Sequence, residues 1–335
     1  MKIIYFYNEE WEKDYIQTRL TGNEFKFVAG RLQDHPEIHD DGAEALCVFV
    51  NSEVKAVPMD QFPKLKFIAA RSTGYDHIDL AEAAKRGIRV SNVPFYGENT
   101  VAEFAFALLL TLSRKIYDAY KRIEQDGNFS TDGLRGFDLK GKTMGIIGAG
   151  RIGLHTARMA RGFDMKVVAY DKFHNDQVAQ EIGFKYLELD DLLAQSDVIS
   201  LHAPYLPETH HIINLNNIGK IKPGAYLINT ARGGLVDTAA LLKGLQEGIL
   251  AGAGLDVLEE EGYFVDEMKL LTDPHPQLET LKVVLANHYL ITHPRVILTP
   301  HNAFNTQEAL ERILNTTIEN LKGFEAGTPV NIVKS

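Results

Sequence analysis

Cys47 is the only cysteine in 335 residues, so no disulfide can close within the chain and no zinc site can be built from cysteines. A reducing, cytoplasmic compartment is expected. Long apolar runs are lacking too: the longest, Val101 to Leu112, is interrupted by Glu103 and falls short of the ~20 residues a spanning helix needs. The first seven residues meet Glu9 and Glu10 too soon for a signal peptide. Positive charge is in deficit, with 35 Lys and Arg against 45 Asp and Glu and a net charge of −10. Nucleic acid and anionic membranes need a field of the opposite sign, so neither is an expected partner, although a local cationic pocket remains compatible. Tandem repeats, low-complexity tracts and the H-E-x-x-H and G-x-S-x-G arrangements are also absent, and no metal is expected.

Core material is ample. At roughly 150 residues per domain the length predicts two domains, and 45% hydrophobic content can fill both. Short β-branched and aromatic runs alternate with helical patterns: Ile3–Tyr7, Leu46–Val50, Phe67–Ala70, Met144–Ile147, Lys166–Tyr170, Val198–Leu201, Tyr226–Asn229, Leu250–Leu255 and Val296–Leu298. Their continuous apolar character is that of strands covered on both faces, so the class is α/β with parallel sheets.

Two long helical segments are candidate crossings between domains. The first opens at Asn99 or Thr100, where Thr100 and Glu103 have capping-box spacing, and runs almost wholly apolar to about Lys121. The second covers about Thr306 to Phe324. If both connect domains, residues 100–296 form one domain inserted into another made of 1–99 and 297–335; a continuous split near residue 140 is the simpler alternative.

The clearest motif is Gly148-Ala-Gly150-Arg-Ile-Gly153, placed after a strand and at the head of a helix. Gly148 permits the tight turn, Gly150 lets backbone amides approach a pyrophosphate, and Gly153 lets helix and strand pack closely. The helix N-terminus adds unpaired N–H groups and partial positive charge. The next strand ends at Asp171, whose carboxylate can accept both ribose hydroxyls of adenosine and repel a 2′-phosphate, which favours NAD over NADP. A rival string, Gly136 to Thr143, matches the P-loop letter for letter, but it leads into a strand and has no helix terminus to offer phosphates.

Candidates for chemistry follow other strands. Arg232 sits just past Tyr226–Asn229, where an Arg can clamp a carboxylate with two parallel hydrogen bonds or merely neutralise Asp237. Asp256 ends another strand and is followed by Glu259, Glu260 and Glu261, among which the pattern does not choose. His301 follows Pro300 at the second crossing; a hydride-transfer site needs a group titrating near neutrality, and a neighbouring carboxylate favours an imidazolium donor. His202, ending a strand, either lines a nicotinamide pocket or caps the strand. His35 and His39 have metal-ligand spacing, but Pro36 and polar neighbours favour an exposed turn. His210 and His211 are consecutive, so one is expected to face solvent.

Together these residues resemble the D-isomer-specific 2-hydroxyacid dehydrogenase family, and within it the D-lactate dehydrogenases. The likeness spans the chain: Cys47 to Asn51, Arg71 to Asp79, Ser91 to Tyr96, Val101 to Glu103, Gly148 to Gly153, Asn229 to Asp237, Asp256 to Glu261 and Thr299 to Phe304. It implies two Rossmann-like, doubly wound parallel-sheet domains with a cleft between them that closes in catalysis. It also selects Glu261 from the three glutamates and makes Arg232, Glu261 and His301 the catalytic trio. NADH would reduce C2 of a 2-oxo acid, Arg232 would bind the carboxylate and polarise the carbonyl, and His301, kept protonated by Glu261, would protonate the oxygen. Arg151 and Ile152 would meet the pyrophosphate, while His202, Ala203, Pro204, Thr209, Thr230, Ala231 and Asp256 line the cofactor. The backbone of Ser72, Thr73 and Gly74 would hold the substrate carboxylate, with Tyr96 beside it and Phe49 a further candidate.

The same resemblance implies a homodimer formed through the cofactor domain, where the apolar helix from Thr100 could bury its second face. Departures from the D-lactate pattern lie at Gly97 and Asn305, both near the implied pocket, and the segment between Glu261 and His301, including Asp273 to Pro276, has no assigned role. Pyruvate is the expected substrate, with larger 2-oxo acids open, because a methylene or two carries only ~1–3 kcal/mol of discrimination. Among other members, Glu261 argues against the formate type, which carries Gln there. A corepressor-like NAD-sensing protein is the alternative outside enzymes.

Overall fold

A computed structural model of the chain describes residues 1–262 and 277–334. The chain divides into two compact units, one of Met1–Tyr96 with Asn305–Ser335, the other of Gly97–Phe304. Each is an α/β unit around a parallel sheet.

The first unit holds β1 (Lys2–Tyr7), β2 (Glu24–Ala29), β3 (Ala45–Val48), β4 (Phe67–Ala70) and β5 (Arg89–Ser91), in the order β2-β1-β3-β4-β5. Alternation along β1 sends Ile3 and Tyr5 to one face and Ile4 and Phe6 to the other, and all four are buried. On the first face they meet Ile16 and Leu20 of the segment beginning with helix Glu10–Arg19, and Leu314, Ile318 and Leu321 of helix Gln307–Glu325. On the second they meet Met59 and Ala83. Burial on both faces explains the unbroken apolar runs of β3 and β4.

The second unit holds β6 (Thr143–Ile147), β7 (Lys166–Tyr170), β8 (Lys185–Tyr186), β9 (Val198–Leu201), β10 (Ala225–Asn229), β11 (Leu250–Leu255) and β12 (Val296–Leu298). Their order is β12-β11-β10-β9-β6-β7-β8, and every pairing is parallel. The order reverses between β6 and β9, so that is the topological switch point where a parallel sheet opens a crevice at its carboxyl edge.

Three expectations are corrected. Residues from 297 onward do not all return to the first unit: β12 pairs with β11, and the second unit extends through Phe304. The apolar helix is Glu98–Ser113, with Gly97 as its N-cap, so Thr100 lies within the first turn and does not cap it. It stops well before Lys121, because Lys115 takes a left-handed φ of 55° and a separate helix, Ile116–Asp126, begins. Phe106, Leu109 and Leu112 pack with Met144, Ile146 and Val198 against the unit's own sheet, which accounts for the apolar composition. Strands β2, β5 and β8 were not expected; the last two are only three and two residues long, and β2 is a half-exposed edge strand. Asp273 to Pro276 lie outside the described residues.

Candidate active site

Because β6 through β12 run parallel, everything attached to their carboxyl ends gathers along one edge of the seven-stranded sheet. The glycine turn after β6, Asp171 after β7, His202 after β9, Arg232 after β10, Asp256 after β11 and His301 after β12 all do so.

At the glycine turn, Gly148 has φ +96°, and a Cβ there would lie 2.4 Å from Ala203 N and 2.6 Å from the His202 carbonyl carbon. Only a hydrogen fits. Gly153 is equally constrained, since its Cβ would sit 2.0 Å from Gly148 O, whereas a Cβ on Gly150 would meet nothing within 4 Å. Gly150 is also the N-cap of helix Arg151–Gly162, with no side chain capping it. Open space above uncapped N–H groups is what a pyrophosphate requires. The Asp171 carboxylate stands beside this turn, accepting Ala149 N–H at 2.7 Å and Phe173 N–H at 2.8 Å. Arg151 opens the helix with its guanidinium 3.8 Å from Glu98 and largely exposed, and Ile152 follows half-buried.

Two buried polar atoms along the same edge lack partners among the described residues, His202 Nδ1 and Thr230 Oγ1. His202 Nε2 is engaged by Ser200 Oγ at 2.8 Å and Thr156 Oγ1 at 3.1 Å, and burial pushes the imidazole down to about 3, so it is neutral. Unsatisfied buried polar groups cost about 1–3 kcal/mol each, which marks them as places for a ligand's polar atoms. The open Gly150 turn, these two atoms and Asp171 therefore fit a dinucleotide. The Thr209 hydroxyl donates to Pro204 O at 2.6 Å and accepts Leu206 N–H at 2.8 Å, stapling the loop after Ala203.

Arg232 is positioned by Asn229, which sequence reasoning passed over. Asn229 Nδ2 donates to Arg232 O at 2.9 Å, and its Oδ1 accepts Ala231 N–H at 3.1 Å, fixing the turn at the end of β10. Its signal was a polar residue closing an otherwise apolar strand.

Asp256 organises the turn bearing His301. Its carboxylate accepts Thr299 Oγ1 at 2.5 Å, Asn302 N–H at 2.8 Å and Ala303 N–H at 2.7 Å, while its carbonyl accepts His301 N–H at 2.8 Å. Burial raises this carboxyl above its ordinary value against those bonds. His301, forced to φ +51°, places Nδ1 at 2.8 Å from Glu261 Oε1. Glu259 is directed elsewhere, to His211 and Thr238, and Glu260 is exposed. The geometry thus brings Glu261, alone of the three, to His301.

In the first unit, Arg71 follows β4 with its guanidinium buried against Glu12, Tyr5 OH at 2.5 Å and Phe6 O at 2.7 Å. The following loop is tied by Ser72 Oγ donating to Gly74 O at 2.6 Å and Thr73 Oγ1 to Val93 O at 2.8 Å. The backbone N–H groups of Ser72, Thr73 and Gly74 meet no acceptor among the described residues. Phe49 stacks at 5.6 Å over the Arg71 guanidinium, and the Tyr96 carbonyl accepts Arg312 Nε at 2.7 Å.

Comparison with known proteins gives the family. Residues 106–303 match the family described as D-isomer specific 2-hydroxyacid dehydrogenase, NAD binding domain. The chain is 36% identical over 331 residues to the D-lactate dehydrogenase of Escherichia coli, covering 98% of each protein. It is 40% identical over 298 residues to the glyoxylate reductase of Thermococcus litoralis, covering 87% of this chain and 83% of that one. The crystal structure of D-lactate dehydrogenase from Aquifex aeolicus complexed with NAD and lactic acid matches with a TM-score of 0.85 at 37% identity, over 97% of this chain and 96% of that one.

Proposed function

The chain belongs to the D-isomer-specific 2-hydroxyacid dehydrogenase family and carries its NAD-binding domain, and from that premise we propose that it reduces pyruvate to D-lactate and catalyses the reverse oxidation. The observation that carries the reading is the 2.8 Å His301–Glu261 pair on the same sheet edge as Arg232 and the glycine turn. NADH, when bound, supplies the hydride that C2 of the keto acid accepts. Arg232 clamps the substrate carboxylate and polarises its carbonyl, stabilising charge that grows in the transition state. Glu261 holds Nδ1 of His301 as a protonated donor site, so that Nε2 delivers a proton to the developing alkoxide. Ser72, Thr73 and Gly74 offer three consecutive N–H groups for a carboxylate. Asp171 takes the adenosine ribose, and its charge disfavours a 2′-phosphate.

The E. coli relative covers 98% of both chains and favours pyruvate; the T. litoralis relative makes glyoxylate the second substrate to examine. The test is NADH oxidation by the purified protein with pyruvate, glyoxylate, 2-oxoisocaproate, phenylpyruvate and hydroxypyruvate. Pyruvate should give the highest kcat/KM, and Arg232→Ala should lower it by about 10²–10³-fold while NADH affinity stays within about twofold. Equal loss of both would make Arg232 structural. Tight NADH binding without turnover of any acid would sink the enzyme reading in favour of a corepressor-like sensor.

A homodimer belongs to the same reading. Its support is the apolar side of helix Ile116–Asp126, none of whose residues is buried, where Ile116, Tyr117, Tyr120 and Ile123 stand exposed ahead of Phe129. The helix Glu98–Ser113 packs one side on its own sheet and leaves Phe104 and Leu110 half-buried and Ala107 exposed on the other, so that second side is available to the same interface. Sedimentation of the intact chain measures the state. A cytoplasmic location is supported by a single, fully buried thiol, and among the described residues no helix is long and apolar enough to cross a membrane.

A further inference from the structure

Glu259 plays no part in the reaction above, yet every oxygen it carries is engaged. Oε1 lies 2.5 Å from His211 Nε2, Oε2 accepts both Thr238 N–H at 3.1 Å and Thr238 Oγ1 at 2.7 Å, and the backbone carbonyl accepts Asn287 Nδ2 at 2.8 Å. Its side chain is only 14% exposed. An exposed acidic run has no need of this many partners.

The partners belong to the loop that carries Arg232. That residue opens the short 3₁₀ turn Gly233–Leu235, and the chain continues through the N-cap Asp237 into helix Thr238–Gln246. His211 N–H donates to Gly234 O at 2.8 Å and Ile213 N–H to Leu235 O at 3.1 Å, so His211 grips the turn by its backbone and Glu259 by its ring. The two backbones are also in direct contact: a Cβ on Gly233 would fall 1.9 Å from Leu258 O and 2.3 Å from Glu259 N. Beyond Glu259, only Glu260 intervenes before Glu261 and its bond to His301.

Backbone conformation points the same way. Among the described residues six non-glycine residues have positive φ, and three of them, His211 (50°), Glu260 (54°) and His301 (51°), belong to this one network. Left-handed φ costs such residues about 1–2 kcal/mol and persists where the surroundings over-determine it.

We propose that Glu259, gripped by His211 and Thr238, is a positioning residue that locks the Arg232 loop to the segment bearing Glu261. The anchor for the substrate carboxylate and the proton-donating pair then keep one fixed spacing. This rests on the roles given above to Arg232, Glu261 and His301, so the test reads the lock and the chemistry separately.

Hydrogen exchange of the intact protein reads the lock without any substrate. In Glu259→Ala, amide exchange should quicken about tenfold in residues 230–237 and 256–262 together, the scale of losing charge-assisted hydrogen bonds, with Glu259→Gln intermediate. Quickening in one segment alone, or in neither, overturns the proposal. Pyruvate reduction reads the consequence: kcat should fall about tenfold to a hundredfold with NADH Kd unchanged, and the alkaline limb of the pH–rate profile should move in the direction that Glu261→Gln moves it. A lower Tm with an unmoved limb and unchanged kcat per folded molecule would make Glu259 merely structural. If Glu261→Gln itself leaves the limb in place while both segments loosen in Glu259→Ala, the proton-donor reading fails and the lock stands. His211→Leu and Thr238→Val each remove one side-chain partner and repeat the test should Glu259→Ala not fold.

Discussion

At the scale of single residues, His202 shows how one side chain can set a pH dependence. Its Nε2 faces the hydroxyls of Ser200 and Thr156, its Nδ1 is buried, and burial drives its pKa from an ordinary 6.5 to about 3. The folded value is the lower one, so between those limits the unfolded chain binds a proton that the folded chain does not. The neutral ring's contribution is complete above 6.5 and is lost progressively as pH falls towards 3, with a slope of up to about 1.4 kcal/mol per pH unit. Urea unfolding of the cofactor-free protein should therefore weaken from pH 6.5 to pH 5 by about 1–2 kcal/mol more in the parent than in His202→Asn. Parallel pH profiles for the two proteins would contradict this. His202 was legible as a candidate because it ends a strand. His211 and Glu259 were not legible as partners: 48 residues separate them, and nothing in either local pattern signals the other. Gly233 was visible within its motif, but the backbone it must admit, at Leu258 and Glu259, appears only in three dimensions.

At the scale of elements, strands were legible where β-branched and apolar residues cluster between polar flanks. Strands β4, β7, β9, β11 and β12 have the bounds expected from their runs, although only β4 and β9 are buried throughout and β12 is half-buried at every residue. Helix starts were less legible, since capping spacing is neither necessary nor sufficient: Gly97 and Gly150 begin helices with no side-chain cap. Thr306 does cap, accepting Ala309 N–H at 3.2 Å, although no Glu or Gln stands three residues on, whereas Thr100, which has that spacing, lies inside a helix begun at Glu98. The break at Lys115 is invisible in a run of helix formers without Gly or Pro, because it is a backbone excursion and not a residue preference. Thr306→Ala should cost the first unit about 1 kcal/mol, with Thr306→Ser close to the parent. The urea midpoint of the transition that makes Cys47 reactive measures this cost, and a midpoint unchanged in Thr306→Ala would mean the cap contributes nothing.

At the scale of the whole molecule, the chain enters the second unit after Tyr96 and returns only at Asn305, so the first unit is completed by a segment made after the whole of the second. That return is structural. Leu314, Ile318 and Leu321 cover the face of the first sheet formed by Ile3, Tyr5, Ala45, Cys47 and Phe67, and Phe324 stacks on Phe67 at 4.4 Å. Each such buried side chain contributes about 1.5–3 kcal/mol, so losing several together exceeds what a domain of this size can spare. The second unit needs none of them. Its sheet, its glycine turn, Asp171, Thr230, Arg232, Glu261 and His301 all lie between Gly97 and Phe304. A fragment of residues 97–304 should therefore melt cooperatively and bind NADH without reducing pyruvate. The fragment 1–304 should keep NADH binding but leave Cys47, fully buried in the intact chain, open to a thiol reagent under native conditions. Protection of Cys47 in 1–304 would show that the terminal helix is dispensable for the first unit. Loss of NADH binding by 97–304 would mean that the cofactor site draws on residues outside the second unit.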